Sequence, residues 1–116
     1  MDDASEQFDV LVGEALDGLP DWVKERLDNV EVILEEEPPA GEPRLLGLYE
    51  GIPLTERGQN YYGVLPDRIS LYRRTILREA GGSADRLKQV VQDTVVHEIA
   101  HFFGISDERL RELGRD

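Results

Sequence analysis

Both histidines of this 116-residue chain fall in one run, Thr94-Val95-Val96-His97-Glu98-Ile99-Ala100-His101-Phe102-Phe103-Gly104-Ile105-Ser106-Asp107, which spells H-E-x-x-H-x-x-G-x-x-D. Residues four apart on a helix differ by about 40° in azimuth and about 6 Å in height, so His97 and His101 can close on one small ion. Zn2+ suits them. Neutral imidazole nitrogen sits at roughly 2.0–2.1 Å from zinc, and a hydrolytic site takes three protein ligands and leaves the fourth position to water. Glu98 stands between the two ligands in sequence, where its carboxylate can take the proton of the metal-bound water as a general base.

A helix running straight past His101 cannot bring a third ligand to the ion from the other side. Gly104 supplies the turn, because glycine adopts positive φ without steric cost and is common just past a helix end. Asp107 is then placed to return its carboxylate to the metal. Two other carboxylates compete for the role. Asp93 shares the helix with the histidines and would confine all three ligands to one rigid face, leaving Gly104 without a task. Glu108 lies about 100° further round the next helix and faces away. Ser106 is set to cap that final helix, so that Asp107 leaves its first turn toward the metal.

H-E-x-x-H has only three defined residues in five, and its surroundings decide how it is taken. Uncharged Val95, Val96, Ile99, Ala100 and Phe102 frame it, and the glycine and aspartate follow at the right distance. A buried pair of core histidines beside a glutamate would need partners to offset its burial.

The whole chain sets the outer limits. At 13.1 kDa it has material for one domain, residues 1–116, around one hydrophobic core. Net charge is −12, which argues against nucleic acid and against anionic membrane surfaces as partners. The acidity is uneven: residues 1–40 hold 13 acidic and 2 basic side chains, whereas residues 41–116 hold 12 and 11. The first third is therefore a solvated acidic face, and the half with the histidines is nearly neutral. Cysteine is absent, so neither disulfides nor thiolate ligands contribute. Met1-Asp2-Asp3-Ala4-Ser5-Glu6 has no basic or apolar leader character, and no apolar run reaches the roughly 18–20 residues that cross a bilayer. The expected location is cytoplasmic.

In chain order, Phe8, Leu11, Val12, Ala15 and Leu19 recur at helical spacing and predict an amphipathic helix ending near Gly18. Pro20 opens a short helix over Asp21–Leu27, with Trp22, Val23 and Leu27 expected to pack inward and Trp22 as a core anchor. From Val30 the period is two, with Val30, Val32 and Leu34 on one face of a strand that the run Glu35 to Pro39 ends. Leu45–Tyr49 predicts a second strand, in which Gly47 marks a close backbone approach by a neighbouring element or a bound peptide. Glu50 to Leu65 has no sustained period and is expected to be a long loop bordering the substrate cleft, with Tyr61 and Tyr62 as candidate oxyanion or substrate contacts. Arg68–Tyr72 predicts a third strand, and Thr75–Ala80 a short helix closed by Gly81-Gly82. Ser83 caps the next helix, Ala84 to Phe103, whose apolar arc of Leu87, Val91, Val95, Ile99, Phe102 and Phe103 should pack inward while the histidines beside it face a cleft. A last helix runs through Leu110 and Leu113. Arg68, Arg73, Arg74 and Arg78 form a basic cluster expected to pair with the acidic first third.

Three stretches carry a resemblance. They are Gly47-Leu48-Tyr49-Glu50-Gly51-Ile52-Pro53-Leu54-Thr55-Glu56-Arg57-Gly58, Leu65-Pro66-Asp67-Arg68-Ile69-Ser70-Leu71-Tyr72-Arg73, and Val95 to Leu110. In these the chain resembles the small zincin-like metallopeptidases, sometimes called minimal zincins, from about Val30 onward. The resemblance implies zinc ligands at His97, His101 and Asp107 and a catalytic base at Glu98. It departs from the larger metzincin clan, whose members place a methionine turn beneath the metal, since the only methionine is Met1.

The expected fold is α+β, a small mixed sheet packed against an N-terminal helix and the helix that carries the histidines. The expected function is zinc-dependent hydrolysis of peptide bonds in a peptide or protein substrate, with one Zn2+ per chain. The alternative is a catalytically idle module of the same fold that binds zinc or a protein partner. Purified protein should hold about one equivalent of divalent metal, and His97→Ala or His101→Ala should abolish it, because two ligands do not hold zinc against solvent. Metal analysis checks this, and stoichiometric zinc in either variant would sink it.

Overall fold

The computed structural model describes residues 3–56 and 66–112. Its organising element is the long helix α4, Ala84–Phe102, which both faces of the molecule use as a support. Two helices, α1 over Asp3–Asp17 and α3 over Arg73–Ala80, pack on one side of it, and strands β2, Gly47–Glu50, and β3, Asp67–Tyr72, pack on the other. Strand β1, Val30–Glu35, and two six-residue helices, α2 at Asp21–Arg26 and α5 at Asp107–Glu112, complete the set. The fold is α+β, as the patterning predicts.

The sheet has three strands in the order β1-β3-β2. β1 runs parallel to β3 with Val30 opposite Asp67, and β2 runs antiparallel with Gly47 opposite Leu71. The mixed sheet follows from the connections. The long excursion between β2 and β3 turns the chain round once, while β1 and β3 enter the sheet from the same end. Central β3 is buried along nearly its whole length, with Ile69, Leu71 and Tyr72 in the core. The predicted apolar arc of α4 is what covers it: Leu87, Val91, Val95, Ile99 and Phe102 are all buried, with Phe103 half-buried beside them. Phe8, Leu11 and Val12 of α1 close the core from the other side.

Ser83 caps α4 as its position suggested, accepting from the Arg86 backbone N–H at 3.2 Å. Arg73 and Arg74 reach Glu36 and Glu37, at 2.8 and 3.5 Å, whereas Arg68 and Arg78 remain exposed, so the basic cluster pairs with the acidic third only in part.

One inward assignment is corrected. Trp22 is 61% exposed and rests its ring on Phe103, with centroids 5.7 Å apart, instead of anchoring the core. A helix of six residues has one narrow inward stripe, which Val23 takes, and its neighbour lies about 100° round the axis. Leu34 is 37% exposed, because β1 is an edge strand whose main packing partner is β3, not a helix. Of the other expectations, Tyr61, Tyr62 and Leu113 lie outside the described residues, and the described part of the predicted loop holds a 3-10 turn at Leu54–Glu56.

Gly47 marks a close approach, as its place in the strand suggested, and the neighbour is α4. A β-carbon there would stand 2.9 Å from Thr94 Cγ2, 3.0 Å from the Ser70 carbonyl oxygen and 3.1 Å from Glu98 Cγ. Strand and helix therefore touch backbone to side chain at the level of Glu98. Gly47→Ala should force them apart at a cost of about 1–3 kcal/mol, read as a lower urea midpoint. An unchanged midpoint would contradict this contact.

Candidate metal centre

α4 ends in a turn that can be followed bond by bond. The Gly104 N–H donates to the His101 carbonyl and the Ile105 N–H to the Ala100 carbonyl, both at 2.9 Å, which is a Schellman motif with Gly104 at φ +88°. Thr55 from the 3-10 turn fills the space that a Gly104 side chain would need. The chain reverses, Ser106 caps α5 by accepting from the Arg109 N–H at 3.1 Å, and Asp107 becomes the first residue of that helix.

The reversal brings three side chains together. Asp107 Oδ1 lies 3.0 Å from His97 Nε2 and 3.0 Å from His101 Nε2, and the two imidazoles stand nearly edge to face with centroids 4.8 Å apart. Among the described residues, this is the group of histidine and carboxylate side chains that could hold a metal ion, its donor atoms all within 4.8 Å of one another. The chemistry of the set fits zinc. Two neutral nitrogens and one carboxylate oxygen are preferred donors, and ligands at roughly 2.0–2.1 Å in a tetrahedron stand about 3.3 Å apart, close to the observed histidine–aspartate separations. Both imidazoles are about three-quarters buried, while the Asp107 side chain is 63% exposed.

One further bond prepares the site. His101 Nδ1 lies 3.0 Å from the Ile105 carbonyl, which can only accept. The proton is therefore on Nδ1, and Nε2 presents its lone pair to the metal position. The Gly104 turn thus sets the ring of one imidazole as well as the return of Asp107.

Glu98 lies one residue beyond His97 but points inward, and it is only 6% exposed. Burial pushes its carboxyl above the ordinary glutamate range. The imidazoles of His97 and His101 pull it back, the Asp107 carboxylate adds to the rise, and a backbone hydrogen bond from Tyr49 opposes it. This proton-holding tendency suits a group that must accept a proton and then give it away.

Asp93 does not join the cluster; its carboxylate accepts from the Gln89 side-chain amide at 2.9 Å. Glu108 is exposed. Reasoning from sequence missed Tyr49, which supports the site from β2. Its hydroxyl donates to the buried Asp67 at 2.6 Å, its ring meets Phe102 edge-on, and its backbone N–H donates to Glu98. The available signal was the apolar, aromatic strand around Gly47, whose close approach implied that its neighbours also touch the helix.

A cleft of about 460 Å³ opens over these groups, bordered by Leu45 to Tyr49 on one side and by His97, His101 and the Gly104–Asp107 turn on the other, with Pro53 at its edge.

Comparison with known proteins gives the family. Residues 27–115 match the zincin-like metallopeptidase family. The chain belongs to that family. A solved structure, a conserved hypothetical protein from Thermus thermophilus, is 29% identical, covers 97% of this chain and 99% of its own, and superposes with a TM-score of 0.61. No curated protein matches the chain. No helix among the described residues is long and apolar enough to cross a membrane.

Asp107→Ala should weaken zinc binding by orders of magnitude, while Asp93→Ala and Glu108→Ala leave it nearly unchanged. Competition against a chromogenic chelator measures this. Equal loss in the Asp93 variant would move the third ligand onto α4.

Proposed function

We propose that this zincin-like protein is a zinc-dependent peptidase, in which His97, His101 and Asp107 hold one zinc ion and Glu98 is the general base. The observation that carries the proposal is the burial of Glu98 directly beside three converging donor atoms, at the back of an open cleft. A carboxylate needs a purpose to be held there, since its removal from water is unfavourable unless the charged form is compensated. When bound, the ion supplies Lewis-acid polarisation of a water molecule and of the scissile carbonyl. Glu98 takes the proton released as water attacks and delivers it to the departing amine nitrogen. The Tyr49 N–H keeps the Glu98 carboxylate aimed during both transfers.

The substrate lies along β2. That strand pairs with β3 on one side, and its other edge faces the cleft. The Tyr72 N–H donates to the Leu46 carbonyl, and in an antiparallel ladder the inward and outward groups alternate. Gly47 and Tyr49 therefore turn their backbone groups outward, and the Tyr49 N–H is already engaged by Glu98. Gly47 offers both its N–H and its carbonyl to an added antiparallel strand, which would carry a peptide past the donor atoms.

Glu98→Gln should retain zinc and lower turnover by roughly 10²-fold or more, because it keeps the shape and removes the base. A mixed peptide library read by mass spectrometry, with and without chelator, measures turnover. Loss of metal in this variant would make Glu98 a ligand, and absence of chelator-sensitive cleavage by the wild type would favour an idle zinc-binding module.

A further inference from the structure

A second cleft, of about 690 Å³, continues from the first. It shares Leu45, Gly47, His97 and Glu98 with the cleft over the donor atoms and runs back along α4 as far as Arg86. Part of its floor is apolar, with Val90 and Leu110 buried and Leu45, Leu46 and Val96 half-buried, and Gln89, Thr94 and Glu98 make the rest polar. Charged side chains stand on its rim.

Some of those rim groups have partners. Arg86 pairs with Glu79 at 3.4 Å, and Asp93 accepts from Gln89 at 2.9 Å. Arg44 is exposed on the same rim and makes no side-chain ion pair or hydrogen bond among the described residues. Arg44 therefore offers an anionic ligand a guanidinium that has no partner among the described residues. A guanidinium presents two parallel donors that match a carboxylate, and the apolar part of the floor reduces the competing water.

Chain direction says which part of a peptide arrives there. Arg44 and Leu45 precede β2, and Pro53 follows it. A strand added antiparallel to β2 passes its N-terminal half by Tyr49 and Pro53 and its C-terminal half by Leu45 and Arg44. The acidity of the protein does not forbid an anion, because residues 1–40 carry a net charge of −11 and residues 41–116 only −1. Distant charges are also screened beyond about 8 Å at physiological salt.

We propose that the second cleft is the subsite for the C-terminal side of the peptide substrate, and that Arg44 selects a carboxylate in it. The carboxylate comes from an acidic side chain or from the peptide's own C-terminus. The proposal rests on the edge-strand peptidase assignment above and adds the class of substrate to it.

The test measures binding and cleavage separately. Four peptides share one apolar sequence and differ at the C-terminal side: a free C-terminus, a C-terminal amide, an amide with an internal glutamate, and an amide with an internal lysine. Binding is measured by calorimetry on the full-length chain after chelation, so that no peptide is consumed, and kcat/KM is then measured with zinc. At least one carboxylate-bearing peptide should bind about tenfold tighter than the neutral amide, and the two carboxylate arms identify its source. Arg44→Gln should remove the preference, and Arg44→Glu should transfer it to the lysine peptide. Circular dichroism should show both variants folded, since Arg44 is exposed. An Arg44-dependent preference without cleavage upholds the subsite and overturns the peptidase assignment. Cleavage whose rank order is the same in wild type and Arg44→Glu upholds the peptidase and overturns the subsite, and failure of all four peptides to bind overturns the subsite.

Discussion

Everything at the metal centre depends on the chain turning back at Gly104. Two histidines on one helix face define a line of approach, but a closed ligand set needs a donor from beyond the helix end. The Schellman bonds at Ala100 and His101 make that reversal within one turn, and Thr55 packs where a side chain on Gly104 would stand. The same turn aims the Ile105 carbonyl at His101 Nδ1 and starts α5 at Asp107. The place of Asp107 beside the histidines and the orientation of the His101 ring are thus consequences of one piece of backbone geometry.

The second constraint is that Glu98 must be close to the donor atoms and yet nearly out of water. β2 meets this by lying almost against α4. Gly47 has no side chain to hold the strand off, and Tyr49, two residues on, reaches back to Glu98 with its N–H and down to Asp67 with its hydroxyl. Asp67 is itself 3% exposed and opens the central strand. A buried carboxylate at each end of Tyr49 ties the sheet edge to the helix. In a low-dielectric setting such charge-assisted bonds are strong, and leaving either carboxylate without its donor would be costly. The strand that borders the cleft is therefore the same element that steadies Glu98.

Charge is separated along the chain in a way that serves this layout. The strongly acidic first third supplies solvated faces on α1 and α2 and, through Glu36 and Glu37, partners for Arg73 and Arg74 at the start of α3. The half that carries the clefts is nearly neutral, so local groups such as Arg44 and Asp93 dominate the field there.

The sequence by itself determined the elements and the chemistry of the donor set. Period-two runs at Val30 and Arg68, the apolar arc from Leu87 to Phe102, and the spacing of His97, Glu98, His101, Gly104 and Asp107 are local patterns, and local patterns are legible because each follows from helix or strand geometry. That Asp107 and not Asp93 comes to lie beside the histidines was legible for the same reason, since the turn at Gly104 brings the later carboxylate back to them. The tertiary structure alone decided which apolar residues became core. Trp22 and Leu34 stayed outside because a six-residue helix and an edge strand offer little for them to face. It also decided the support of Glu98, because Tyr49 and Asp67 are 18 residues apart and Tyr49 and Glu98 are on different elements, so no spacing rule joins them. Contacts between elements depend on how sheet and helix pack, and a single sequence holds that information only collectively.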